Sequence, residues 1–99
     1  MSSGYGGILS VELHFPESHS LKGKRKDLLS LKAQLARRFG ASVAEVDHHD
    51  VWQRARLTLA CVARGHRELN ELLDGAERYL SGQAFELLSV DREVVTLDD

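Results

Sequence analysis

Apolar and polar positions alternate along residues 8–15. Leu9, Val11, Leu13 and Phe15 fall on one side, and Ser10, Glu12 and His14 on the other. A period of two predicts a strand with one buried face. Pro16 closes it, because its nitrogen cannot donate to a ladder. The period then changes. Leu28, Leu31, Leu35 and Phe39 recur at helical spacing with Ala36 beside them, predicting a helix over 21–39. Ser20 stands where an N-cap is wanted and Gly40 where a helix stops. Strands follow over 42–48 and 54–63, the latter with Ala55, Leu57, Leu59, Cys61 and Ala63 on one face and Arg54, Arg56, Thr58, Ala60 and Val62 on the other. The short gap between them makes an antiparallel hairpin. A second helix, opening at Gly65-His66 and running to Ser81, carries Leu69, Leu72, Leu73, Ala76, Tyr79 and Leu80 at spacings of three and four. Gly75 inside it costs about 1 kcal/mol against Ala, so close packing or a small kink is expected there. The last strand is expected over 85–95, its register left open because Leu87, Leu88 and Val90 break strict alternation.

The order β-α-β-β-α-β predicts the α+β, ferredoxin-like arrangement: a four-stranded antiparallel sheet with both helices on one face. Residues 1–7 are expected to be a disordered lead-in, 8–95 the single domain, and 96–99 an acidic tail. The other sheet face is left open, with Ser10, Glu12, His14, Arg54, Arg56, Thr58, Ala60 and Val62 on it. RNA-recognition motifs share this topology but stack bases on aromatics in the central strands. No aromatic occupies those positions here, so base stacking on the sheet is disfavoured. Glu12 is expected instead to pair with Arg54 or Arg56, across strands or across a two-fold axis.

Composition narrows the setting. The 99 residues bury a modest core, which pairing into a homodimer would help. One Cys excludes an internal disulfide framework and fits a reducing cytoplasm. No apolar run approaches a membrane span, and the N-terminus is too short and polar for a signal peptide. The net charge of -2 gives no argument for nucleic acid, but its distribution is uneven. Lys22, Lys24, Arg25, Lys26, Lys32, Arg37 and Arg38 face only Asp27 in the first helix, while acids dominate from His66 onward.

Two polar sites stand out. Basic residues at a helix start oppose the macrodipole, and a local rule broken without visible compensation is where function is expected. Lys22, Lys24, Arg25 and Lys26, with the Ser18 and Ser20 hydroxyls, are therefore expected to hold phosphate, as in an RNA backbone. The plainer alternative is a solvated turn partly neutralised by Glu17 and Asp27. The second site is the hairpin turn, with Asp47, His48, His49, Asp50, the only Trp (Trp52), Gln53 and Arg54. Its plainer reading is a turn held by Asp and His side chains, with Trp52 as a packing anchor that covers the loop or forms part of a dimer contact. Neighbouring strand residues point to opposite faces, so these groups do not converge on a metal. Cys61 lies in an apolar strand and reads as a core thiol. No nucleophile is paired with a base and no glycine loop follows a strand, so no enzymatic activity and no cofactor are expected.

Three stretches carry a resemblance: Leu13-His14-Phe15-Pro16, Ser18 to Arg25, and above all Ser42 to Ala55. Together they resemble the YlxP-like family, small bacterial proteins catalogued as a domain of unknown function. The resemblance covers residues 8–95. It implies a ferredoxin-like fold and, because the family's genes often neighbour those for translation initiation factor two and ribosome-binding factor A, a setting near translation or ribosome maturation. It implies no catalytic residues. The expectation is an accessory factor that contacts RNA or the ribosome through the helix start and the hairpin. The alternative is a small-molecule-binding or regulatory dimer with ligand near His14, Asp47, His48 and Arg54.

Overall fold

The computed structural model describes residues 2–16 and 19–98. Six elements follow in the expected order: β1 (Ser2–His14), α1 (Leu21–Phe39), β2 (Ser42–Asp47), β3 (Arg54–Ala63), α2 (His66–Ser81) and β4 (Glu86–Asp98). The strands form one antiparallel sheet in the order β2-β3-β1-β4, which is the ferredoxin-like fold. Leu9, Val11 and Leu13 of β1 and Ala55, Leu57 and Leu59 of β3 are buried with Leu28, Leu31 and Leu35 of α1 and Leu69, Leu73, Ala76 and Leu80 of α2. These are the apolar stripes read from the periodicity, brought together between the helices and one sheet face.

One end of the sheet is longer than the apolar pattern implies. β1 begins at Ser2, not Ile8, and β4 runs to Asp98, through the stretch expected to be an acidic tail. Tyr5 pairs with Ala63 on one side and Thr96 on the other. A ladder is made of backbone groups, so glycines and polar residues can extend it too, and a side-chain periodicity does not register them. Gly7 is a core position. A Cβ there would stand 2.6 Å from Leu73 Cδ1 and 3.2 Å from Leu69 Cδ1.

Two bulges settle the irregular stretches. The β1–β4 register shifts at Leu88, so Leu87 and Val90 both pack against the core while Leu88 is exposed. An extra residue in one strand breaks strict alternation in this way. The β2–β3 register shifts at Val46, between Glu45 and Asp47. β2 ends one residue earlier than expected, because His48 adopts a left-handed conformation with φ 63°. Gly75 packs closely, its Cβ position lying 3.0 Å from Phe39 Cε1. Among the described residues no helix is long and apolar enough to cross a membrane.

Candidate functional site

The polar chemistry gathers at the end of the sheet where β1 runs out and α1 begins. The β2–β3 loop is fastened to that exit. Phe15 N–H donates to the Gln53 carbonyl at 2.8 Å, and Gln53 Nε2 donates to the Pro16 carbonyl at 3.4 Å. Within the loop, Val51 N–H bonds to the His48 carbonyl at 3.1 Å, Asp47 Oδ1 accepts from His48 N–H at 2.7 Å, and His49 Nε2 lies 3.1 Å from the Glu45 carbonyl. The Asp and His side chains thus hold the turn, as its plainer reading requires. Trp52 is 52% exposed, so it does not cover the loop as a buried anchor.

Lys24 carries the main correction to the expected phosphate site. It is 1% exposed. Its ammonium lies 3.0 Å from Glu45 Oε2 and donates to the His48 carbonyl. A group so enclosed cannot reach a nucleic-acid backbone. Lys24 fastens the start of α1 to the end of β2. Its spacing carried the signal, since 24, 28, 31 and 35 are the buried positions of α1 and Lys24 continues the leucine stripe toward the N-terminus. The aliphatic stem of lysine can lie along such a stripe while its head finds a carboxylate.

The remaining residues of that set divide. Ser20 is the N-cap, its hydroxyl accepting from Gly23 N–H at 3.0 Å, so its oxygen serves the helix. Ser18 lies outside the described residues. Lys22, Arg25 and Lys26 are exposed, and the first turn of α1 holds no acid. Because Lys24 ties the helix to the hairpin, these three cations share one end of the molecule with Trp52, Gln53 and His49. The two sites separated in sequence are joined at one end of the molecule, through Lys24.

The open sheet face holds a second polar centre that the sequence indicated only as a pairing. Glu12 is 9% exposed. Its Oε2 lies 2.9 Å from His48 Nε2 and 3.1 Å from Arg54 Nη1, and its Oε1 lies 3.4 Å from Arg56 Nη1. Arg56 also meets Asp91 Oδ2 at 2.7 Å. Hydrogen bonding to Asp91 raises the Arg56 pKa above the ordinary guanidinium value; burial opposes this and Glu12 adds to it. Further along, His14 Nδ1 lies 3.1 Å from Glu86 Oε1, and the Ser10 and Thr58 hydroxyls meet at 3.0 Å. The left-handed turn at His48 is what the spacing could not show. It sends the His48 carbonyl to Lys24 and its imidazole to Glu12, joining the two centres through one residue.

The residues proposed to surround a small ligand are largely occupied with one another. His48 and Arg54 face Glu12, His14 faces Glu86, and Asp47 closes its own turn. Among the described residues no three His, Cys, Asp or Glu side chains converge as a metal site requires. Cys61 is buried, its thiol donating toward the Phe39 carbonyl at 3.7 Å, and burial raises its pKa. The thiolate is the reactive form. Iodoacetamide at mildly alkaline pH should therefore label native Cys61 far more slowly than the unfolded chain. Equal rates, read by mass spectrometry, would contradict the buried placement.

Comparisons with known proteins bear on the fold and family. A family described as "Protein of unknown function (DUF503)" matches residues 7–92. Among solved structures, the de novo designed protein Ferredog-Diesel is similar, with 13% identity over 89% of this chain and 83% of that one, at a TM-score of 0.47. No curated protein matches the chain.

Proposed function

The chain belongs to the family described as Protein of unknown function (DUF503), and we propose that it acts by binding RNA, as a non-enzymatic accessory factor near the ribosome. One observation carries the reading. The buried Lys24 bridge gathers Lys22, Arg25 and Lys26 onto the same end as an exposed Trp52. Single-stranded nucleic acid is held in this way: cations track the phosphates, and an aromatic face stacks on a base whatever its identity. The resemblance to the YlxP-like family, with its translation-linked gene neighbours, supports the ribosomal setting. The open sheet face takes no part in stacking, since its central strands present no aromatic and their charged and hydroxyl groups pair with one another.

Trp52 is the only Trp, so its fluorescence reports the contact directly. A short oligouridine should quench it at low salt, with affinity falling as salt rises. The triple variant Lys22→Ala/Arg25→Ala/Lys26→Ala should weaken binding at least tenfold. It should also flatten the log–log salt slope by about 2, as expected for three lost contacts to a single strand. Trp52→Ala, followed by a labelled oligonucleotide, should lose about 1–3 kcal/mol of affinity. Wild-type protein that leaves the oligonucleotide unbound at low salt would overturn the RNA reading. Protein that binds RNA but sediments apart from ribosomal particles at low salt would overturn the ribosomal setting alone.

A further inference from the structure

We infer that the open face of the sheet is the contact surface of a homodimer, with a second copy of this chain lying face to face on it, strands aligned. The face changes character along its length. Toward the start of β1 it is apolar: Ile8 is 40% exposed, Val95 43% and Val62, on an interior strand, 81%. Beside Val62 the surface drops to a glycine floor, since Gly6 pairs with both Val62 and Val95 and a Cβ on Gly6 would meet nothing within 4 Å. Toward the end of β1 the face is charged, with Glu12, Arg54 and Arg56 already paired among themselves.

A second copy is the occupant because the face is complementary to itself. Consider a two-fold axis parallel to the strands, running between β1 and β3. It preserves position along the strands and exchanges the two columns. Each β3 residue then faces, on the other copy, the β1 residue with which it pairs in its own sheet: Val62 with Gly6, Ala60 with Ile8, Thr58 with Ser10, Arg56 with Glu12. A valine knob meets a glycine hollow, aliphatic meets aliphatic, hydroxyl meets hydroxyl and guanidinium meets carboxylate. An isologous interface requires this reciprocity, and aligned packing is how two sheets commonly stack. An axis across the strands at the level of Ser10 would instead set Val62 against Arg54 and Ile8 against Glu12, burying charge on apolar surface at a penalty. Pairing through the β4 edge would leave Val62 in water. The size is adequate. Ten paired positions on β1, β3 and β4 and five on β2 cover roughly 570 Å² in plan before side-chain relief, against about 800 Å² per partner for a standard interface. An axis parallel to the strands also places both Trp52 ends at the same end of the dimer, so a longer RNA strand could engage both.

Sedimentation velocity over a concentration series tests this without reference to RNA. The wild type should sediment at about twice the 11.0 kDa of the chain. Two substitutions are compatible with the isolated fold: Val62→Asp, at an exposed site, and Gly6→Leu, into open space. Each should raise the dimer dissociation constant at least about a hundredfold and leave the far-ultraviolet circular dichroism unchanged. A wild type that stays at 11.0 kDa at its highest soluble concentration would overturn the inference. So would a dimer that survives both variants, since its interface would then lie elsewhere.

Discussion

Lys24→Met should lower the unfolding free energy by about 3 kcal/mol, and with it the midpoint of thermal unfolding by roughly 15 °C. Methionine keeps most of the volume along the α1 stripe, so the loss isolates the charge. Removing the ammonium leaves the Glu45 carboxylate, whose side chain is only 18% exposed, without its counter-charge, and deprives the His48 carbonyl of a donor. Breaking one half of a buried pair is expensive for this reason, whereas replacing both halves with apolar groups is often nearly neutral. Lys24→Met/Glu45→Met should therefore recover much of the loss. Urea titration of the two single variants and the double variant measures the coupling. The single variant should also free the hairpin, lowering the fluorescence anisotropy of Trp52. A Lys24→Met protein within 0.5 kcal/mol of wild type would behave like a surface substitution, and the bridge could not be what joins helix to hairpin.

Gly7→Val should cost about 3 kcal/mol, from overpacking, while Gly6→Ala next to it should be neutral or slightly stabilising. The two glycines face opposite sides of the sheet. At Gly7 an added Cβ meets the δ-methyls of Leu73 and Leu69, both on the buried face of α2. Valine adds two further methyls against leucine side chains that are wholly enclosed in the core. At Gly6 an added Cβ meets nothing. The intrinsic strand preference of valine over glycine is worth less than the clash. Chemical denaturation at low protein concentration, where self-association is slight, gives both values. If Gly7→Val were as stable as wild type, α2 could not lie on β1 where Leu69 and Leu73 place it.

The fold was legible because each element repeats its signal several times. Leu28, Leu31 and Leu35 in α1, and Leu9, Val11 and Leu13 in β1, each report the same buried side. The site was legible only as a list. Lys22, Arg25 and Lys26 stand at the surface as a basic run suggests, but Lys24, between them in sequence, does not. Four neighbouring cations share one composition. The 100° turn per helical residue gives only one of them the leucine stripe. Glu12 and its arginines were foreseeable as cross-strand neighbours. The participation of His48 was not, because it depends on a left-handed turn following a bulge at Val46, and neither leaves a period in the sequence.

By itself the sequence determined the order of the elements, the antiparallel hairpin, the apolar faces and the absence of aromatics from the central strands of the open face. These follow from local periodicity, which needs no knowledge of distant partners. Tertiary structure alone decided how far the sheet extends, which lysine is withdrawn from solvent, and that this lysine ties the helix start to the hairpin. Those outcomes depend on backbone pairing and on a carboxylate twenty-one positions away from Lys24. Such contacts between residues far apart in the chain exist only once the strands and helices have packed.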